Sequence, residues 1–123
     1  MKTVLTVGLL AFASVAHADW VTFATRSNGD VHFYDTARVQ HDGAHVHVWT
    51  RVRYKRSVMA ASSYQSHLRL DCTAQSEVVL QSTFFTDADW AKPAMATNTN
   101  PKPKTRVVAS SPSGALLALL CTD

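Results

Sequence analysis

The chain has little of what most enzymes need. It has no G-x-S-x-G elbow, no H-E-x-x-H pair and no glycine-rich phosphate loop. A Ser-His-Asp set can be drawn from many positions, but nothing in the sequence selects one. Cysteine is scarce: Cys72 and Cys121 are the only two, and no C-x-x-C is present, which removes the redox-motif reading. Charge of one sign is also scarce. Lys and Arg number 12 against 9 Asp and Glu, a net charge of +3. An excess this small gives no reason to expect a nucleic-acid partner. Apolar runs are short, and no segment reaches the roughly 20 residues a membrane-spanning helix needs. There are no internal repeats. These absences point to a non-catalytic protein with no cofactor and no transmembrane segment.

The N-terminus is a targeting segment. Lys2 gives a short positive region, Val4 to Val15 is apolar, and Ala16-His17-Ala18 is an A-x-A cleavage signal. Residues 1–18 are therefore read as a signal peptide and residues 19–123 as one domain. Without Lys2 the net charge becomes +2, since 3 − 1 = 2. The expected destination is the periplasm or the exterior, with surface association open. No Cys lies at the cleavage site, which argues against a lipoprotein anchor. In an oxidising compartment the even pair Cys72 and Cys121 is most simply one disulfide.

What the mature chain does contain is alternation. Ala44 to Lys55, AHVHVWTRVRYK, has a period of two. Val46, Val48 and Val52 fall on one side; His45, His47, Trp49, Arg51, Arg53 and Lys55 fall on the other. This predicts a long strand with one buried face and one basic, aromatic face. WVTFAT (20–25) and VHFYD (31–35) read as strands around an Asn28-Gly29 turn. His41-Asp42-Gly43 is a second turn. Residues 56–64 have no clear period and read as a loop, with a short helical turn as an option. Residues 65–74 and 77–86 read as two more strands. Val78-Val79 and Phe84-Phe85 blur the second of these, which predicts a bulge or a doubly covered strand. Residues 87–105, with Pro93, Pro101 and Pro103, read as an exposed loop, and 106–109 as a short last strand. Ser111-Pro112 then caps a short apolar helix ending near Cys121.

Several marks occur together and in order: Trp20, Tyr34-Asp35, Gly43, Val46-His47-Val48-Trp49, Cys72, Ser82-Thr83-Phe84 and Cys121. By these the chain resembles the surface-adhesin protein E-like family of secreted bacterial proteins. The resemblance implies an α+β fold: an antiparallel sheet of about six strands, a number typical of small sheets. One C-terminal helix packs on a face of this sheet, tied by a disulfide that Cys72 and Cys121 match. It also implies binding to host matrix or plasma proteins, and it admits a homodimer. The alternative is a periplasmic accessory module that binds another bacterial envelope protein.

Two sets of residues are candidate sites. The first is the basic face: His45, His47, Trp49, Arg51, Arg53, Lys55 and Arg69, positioned to meet an anionic polymer or an acidic protein surface. The competing reading is ordinary solvation of one sheet face, or pairing of Arg69 or Arg53 with Asp71 or Glu77. The second is a weak metal set, His45 and His47 with His67, and His32 as a further ligand. The competing reading there is a row of solvated histidines, since a closed zinc site wants four ligands and no thiolate is free. Trp20, Trp49 and Tyr54 also admit a reading as core residues.

Overall fold

The computed structural model describes residues 17–122. All but the last two residues of the expected signal peptide lie outside that range. Eight strands, a short 3-10 helix and one α-helix follow in order. They are β1 (Trp20–Thr25), β2 (Val31–Asp35), the 3-10 helix (Thr36–Arg38), β3 (Gln40–Asp42), β4 (His45–Val58) and β5 (Ala61–Asp71). Then come β6 (Ser76–Phe85), β7 (Ala94–Asn98), β8 (Thr105–Arg106) and α1 (Pro112–Leu120). The sheet is antiparallel throughout. Six strands run side by side as β1-β2-β4-β5-β6-β7, while β3 fills the remaining edge of β4 and β8 that of β6.

Local chemistry explains the turns. In the β1–β2 turn Gly29 has φ +97°, and the Lys55 stem lies so close that a Cβ at position 29 would stand 3.0 Å from it. The left-handed backbone is what calls for glycine there, and the flexible Lys55 stem adds only a tight contact. Asp71 Oδ1 accepts from the N–H groups of Thr73 and Ala74 and so folds the β5–β6 turn. The bulge expected in the β6 region is present: Leu80 has no partner between Gln81, opposite His67, and Val79, opposite Leu68.

Residues 56–64 are not a loop. β4 runs on to Val58, β5 begins at Ala61, and Met59 and Ala60 turn between them at φ +49° and +72°. Such a turn ordinarily advertises itself through Asn or Gly, and here neither is present. Residues 87–105 are not a loop throughout either. Ala94–Asn98 adds to the sheet beside β6, and the last strand is confined to Thr105–Arg106.

The helix rests on the valine face of β4. Val46, Val48, Leu68, Leu70, Leu116 and Leu117 form the buried core. Ser111 is the N-cap, its Oγ accepting from Gly114 N–H at 3.1 Å, and Pro112 sits in the first turn. At Gly114 any Cβ would stand 2.3 Å from the Ala109 carbonyl oxygen, so only glycine lets the helix start this tightly. The Cys72–Cys121 disulfide pins the other end, with a Cα–Cα distance of 5.5 Å. No helix among the described residues is long and apolar enough to cross a membrane.

Candidate functional site

Because α1 takes the valine face, the odd positions of β4 lie on the opposite face of the sheet. The register sets their neighbours. His45 lies opposite Asp71, His47 opposite Arg69, Trp49 opposite His67, Arg51 opposite Gln65 and Arg53 opposite Ser63. On the other flank Arg51 lies opposite Phe33 and Arg53 opposite Val31. Of the seven residues expected on the basic face, the structure gathers six. Lys55 is the exception: it is exposed and its stem packs on Gly29 at the β1–β2 turn.

The face is not an open field of solvated charge. His45, His47, Trp49, Arg51, Arg53 and Arg69 are all half-buried. Besides Phe33 of β2, three further residues come over them from outside β4 and β5. Trp20 enters from the start of β1, Arg38 from the 3-10 helix and Trp90 from the β6–β7 connection. Together they make a ladder of cations and rings. The Arg38 guanidinium carbon lies 5.2 Å from the Trp49 ring centre and 5.9 Å from that of Trp20. The Arg51 carbon lies 4.2 Å from Trp20 and 4.7 Å from Trp90. The Arg53 carbon lies 5.2 Å from Trp90 and 5.4 Å from Phe33. Each such contact is worth about 0.5–2 kcal/mol, more where water is excluded. Trp49 stacks on the His67 ring at 4.4 Å with 5° between planes.

Two anchors hold the imported residues. Asp35 is fully buried. Its Oδ1 accepts from Asp19 N–H at 2.8 Å and from Ala37 N–H at 2.9 Å, and its Oδ2 accepts from Arg38 Nε. Burial pushes the Asp35 carboxyl up. The Asp19 N–H, the Arg38 bond, the Ala37 N–H and the Arg38 charge outweigh it, and the group is held below the usual carboxylate range. The second anchor is Trp90, whose Nε1 donates to the Tyr64 carbonyl at 3.0 Å. Trp90 has φ +54°, a conformation that costs an L residue roughly 1–2 kcal/mol. Asp87 supports it by accepting from the N–H groups of Asp89, Ala91 and Lys92.

Arg53 pairs with Asp89 at 3.3 Å, not with Asp71 or Glu77. Asp71 faces His45, with 3.6 Å between Oδ2 and Nε2. The imidazole of His67 is held below its ordinary pKa by burial, then by His47 and Arg38. Of the histidines offered as metal ligands, His47 and His67 are neighbours, with ring centres 5.9 Å apart. His45 is turned to Asp71. His32 lies opposite Val52, on the helix face, and is removed from the set. Among the described residues no three ligating groups come together in a metal cluster.

Trp20, Arg38, Trp90 and Phe33 were not among the expected site residues, since Trp20 reads in the sequence as a strand opener and a core candidate. The signal for Trp90 was present in the sequence: a lone tryptophan in a polar, proline-containing segment, three residues after an Asp able to cap a turn. Arg38 and Phe33 carry no local signal. Only the register brings them to the face.

Two of the concavities elsewhere on the molecule bear on recognition. One of about 210 Å³, on the helix face beside Phe23, Thr50 and Ser66, includes His32 Nε2 and Glu77 Oε1, both buried without partners. Another of about 200 Å³, at the tip of the β4–β5 hairpin, is lined only by apolar residues, among them Val58, Met59 and Met95.

The family model described as surface-adhesin protein E matches residues 20–122. The chain belongs to that family. Protein E structures from Haemophilus influenzae share its fold. A second crystal form of that protein superposes with a TM-score of 0.67 at 12% identity, covering 92% of this chain and 96% of the other. Protein E from a non-typeable strain gives 0.64 at 13% identity, covering 91% and 81%. No curated protein sequence matches the chain. At these identities the structures establish the protein E fold and leave side-chain roles to be read from the site itself.

Proposed function

We propose that this member of the protein E family is an exported, non-catalytic binding protein. Its ladder face meets a host matrix or plasma protein. The observation that carries the reading is the row of arginines seated against Trp20, Trp49, Trp90 and Phe33 on the sheet face opposite the helix. Arginine and tryptophan are the residue types that dominate binding energy at protein interfaces, and rigid anchors lose little entropy on binding. Both cysteines are bonded to each other, so neither serves as a nucleophile.

The test is binding of residues 19–123 to immobilised plasma and matrix glycoproteins, together with protease shaving of intact cells. Saturable binding that weakens at least about tenfold in Trp49→Ala is expected, the usual size of an interface hot spot. Equal binding by Trp49→Ala and Arg53→Ser would sink the assignment to this face. Resistance of the protein to external protease would move its partner to the inside of the envelope.

A further inference from the structure

The charges of the ladder face are mostly spent. Arg38 is paired with Asp35 and Arg53 with Asp89, while Asp71 faces His45. Among the described residues two guanidinium groups on this face, those of Arg51 and Arg69, have no carboxylate within ion-pair distance. Of these, Arg51 is the one built into position. Two indole rings flank its guanidinium at 4.2 and 4.7 Å. Its Nε donates to Gln65 Oε1 at 2.8 Å, which fixes the rotation of the plane. The two terminal nitrogens make no hydrogen bond among the described residues, and they are not among the buried unpartnered atoms. Neither is therefore fully shut off from solvent, and Arg51 as a whole is half-buried. The result is a guanidinium with a clamped stem, a satisfied inner edge and a free outer fork.

We propose that Arg51 is a preformed receptor for a carboxylate, and that the partner presents an acidic, extended peptide segment to this face. The inference rests on the ladder face being the binding site, and it specifies the chemistry of what binds there. A planar fork matches a carboxylate through two parallel N–H···O bonds, a match that a lysine cannot make. Holding the fork in place beforehand removes most of the ordering cost of forming those bonds. The flanking rings of Trp20 and Trp90 offer apolar surface to the residues on either side of the acid. Burial and the Arg38 charge already weigh against the Arg51 cation, with Asp35 partly offsetting them, so an incoming anion relieves a charge the fold leaves exposed to repulsion. A sulfated polysaccharide is the poorer fit. Such polymers bind through dense rows of uncompensated cations, and here Arg38 and Arg53, the guanidinium groups that share rings with Arg51, are both paired.

The experiment is a titration of residues 19–123 at neutral pH, read by tryptophan emission and calorimetry. The probes are a short capped peptide of alternating Glu and Val, its Gln counterpart, and a heparin oligosaccharide. The Glu peptide is expected to bind and the Gln peptide not to. Arg51→Gln is expected to weaken binding at least about tenfold, with Arg56→Ser, a change at an exposed cation, within about twofold of the parent. Arg51→Lys keeps the charge and preserves folding should Arg51→Gln fail to fold; it too is expected to lose roughly tenfold for want of the fork. Unchanged binding in Arg51→Lys, an equal loss in Arg56→Ser, or binding of heparin in place of the Glu peptide would each overturn the proposal. If Trp49→Ala abolishes glycoprotein binding while the Arg51 variants retain it, the face stands and the carboxylate receptor fails. If all of them retain it, both fail.

Discussion

Asp35→Asn tests whether the buried carboxylate organises the ladder. The asparagine oxygen can still accept from the N–H groups of Asp19 and Ala37 at the Oδ1 position. Its amide nitrogen then replaces Oδ2 and faces Arg38 Nε, donor against donor. The loss has two parts. A hydrogen bond to a charged partner is worth about 1.5–3 kcal/mol. The two backbone bonds weaken as well, because a neutral acceptor is roughly half as strong as a charged one. Against this, the Arg38 side chain is 39% exposed while Asp35 is fully buried, so the freed guanidinium regains water. The low part of the range applies, and the net cost is about 3 kcal/mol. For a domain of this size that lowers Tm by roughly 10–20 °C.

Urea denaturation measures this as a lower midpoint with an unchanged slope. The dependence on pH gives an independent check. The Asp35 pKa is lower folded than unfolded, so its contribution is fully present above the ordinary carboxylate value of about 3.9 and is lost as pH falls through the folded value. The gap between parent and variant should therefore be constant at neutral pH and close in acid. Trp20 and Trp49 emission should also shift, because Arg38 sits near both rings. A cost below about 0.5 kcal/mol, the scatter of ordinary surface substitutions, would refute the account. So would a gap that does not narrow in acid.

Three further outcomes are expected. Reducing Cys72–Cys121 frees a loop with a sequence separation of 49 and should remove about 4 kcal/mol in the chain-entropy model; an unchanged melting temperature in reductant would contradict this. Cleavage after Ala18 would turn the Asp19 N–H donor, 2.8 Å from Asp35 Oδ1, into an ammonium group. A protein beginning at Asp19 should then be more stable than one carrying extra residues before it by about 1 kcal/mol, and the difference should shrink in the Asp35→Asn background. The imidazole pKa values of His32 and His67 are pushed below the ordinary value, both chiefly by burial. The unfolded chain takes up protons first as pH falls through about 6.5, so the melting temperature should drop between neutral and mildly acidic pH. A flat profile, or an equal slope in His67→Gln, would argue against that cause.

The sequence carries the sheet more openly than the site, and the reason is range. The alternation of Ala44–Lys55 is a local property, and burial of one face preserves it. It therefore places Val46 and Val48 under the helix and Trp49 and Arg51 on the far side without reference to any other strand. The N-cap at Ser111 and the lone cysteine pair are legible for the same reason. The Met59-Ala60 turn is not, because its left-handed residues lack the Asn or Gly that would mark it, and the long β4–β5 ladder sets the conformation instead. Trp20, Arg38 and Trp90 are separated along the chain by up to 70 residues, and only the strand order β1-β2-β4-β5-β6 brings them over Arg51.

That separation also bears on what the ladder does. A stack needed only for stability could be built from neighbouring strand positions, as Trp49 and His67 are. Here the fold accepts a left-handed tryptophan at position 90 and a buried carboxylate at position 35 to bring rings and a paired cation around one guanidinium. It also leaves that guanidinium without a carboxylate of its own. Local strain together with an unmatched, well-oriented charge is what a recognition site requires and a purely structural stack does not. Removing the Arg51 charge should therefore cost more in binding than in stability.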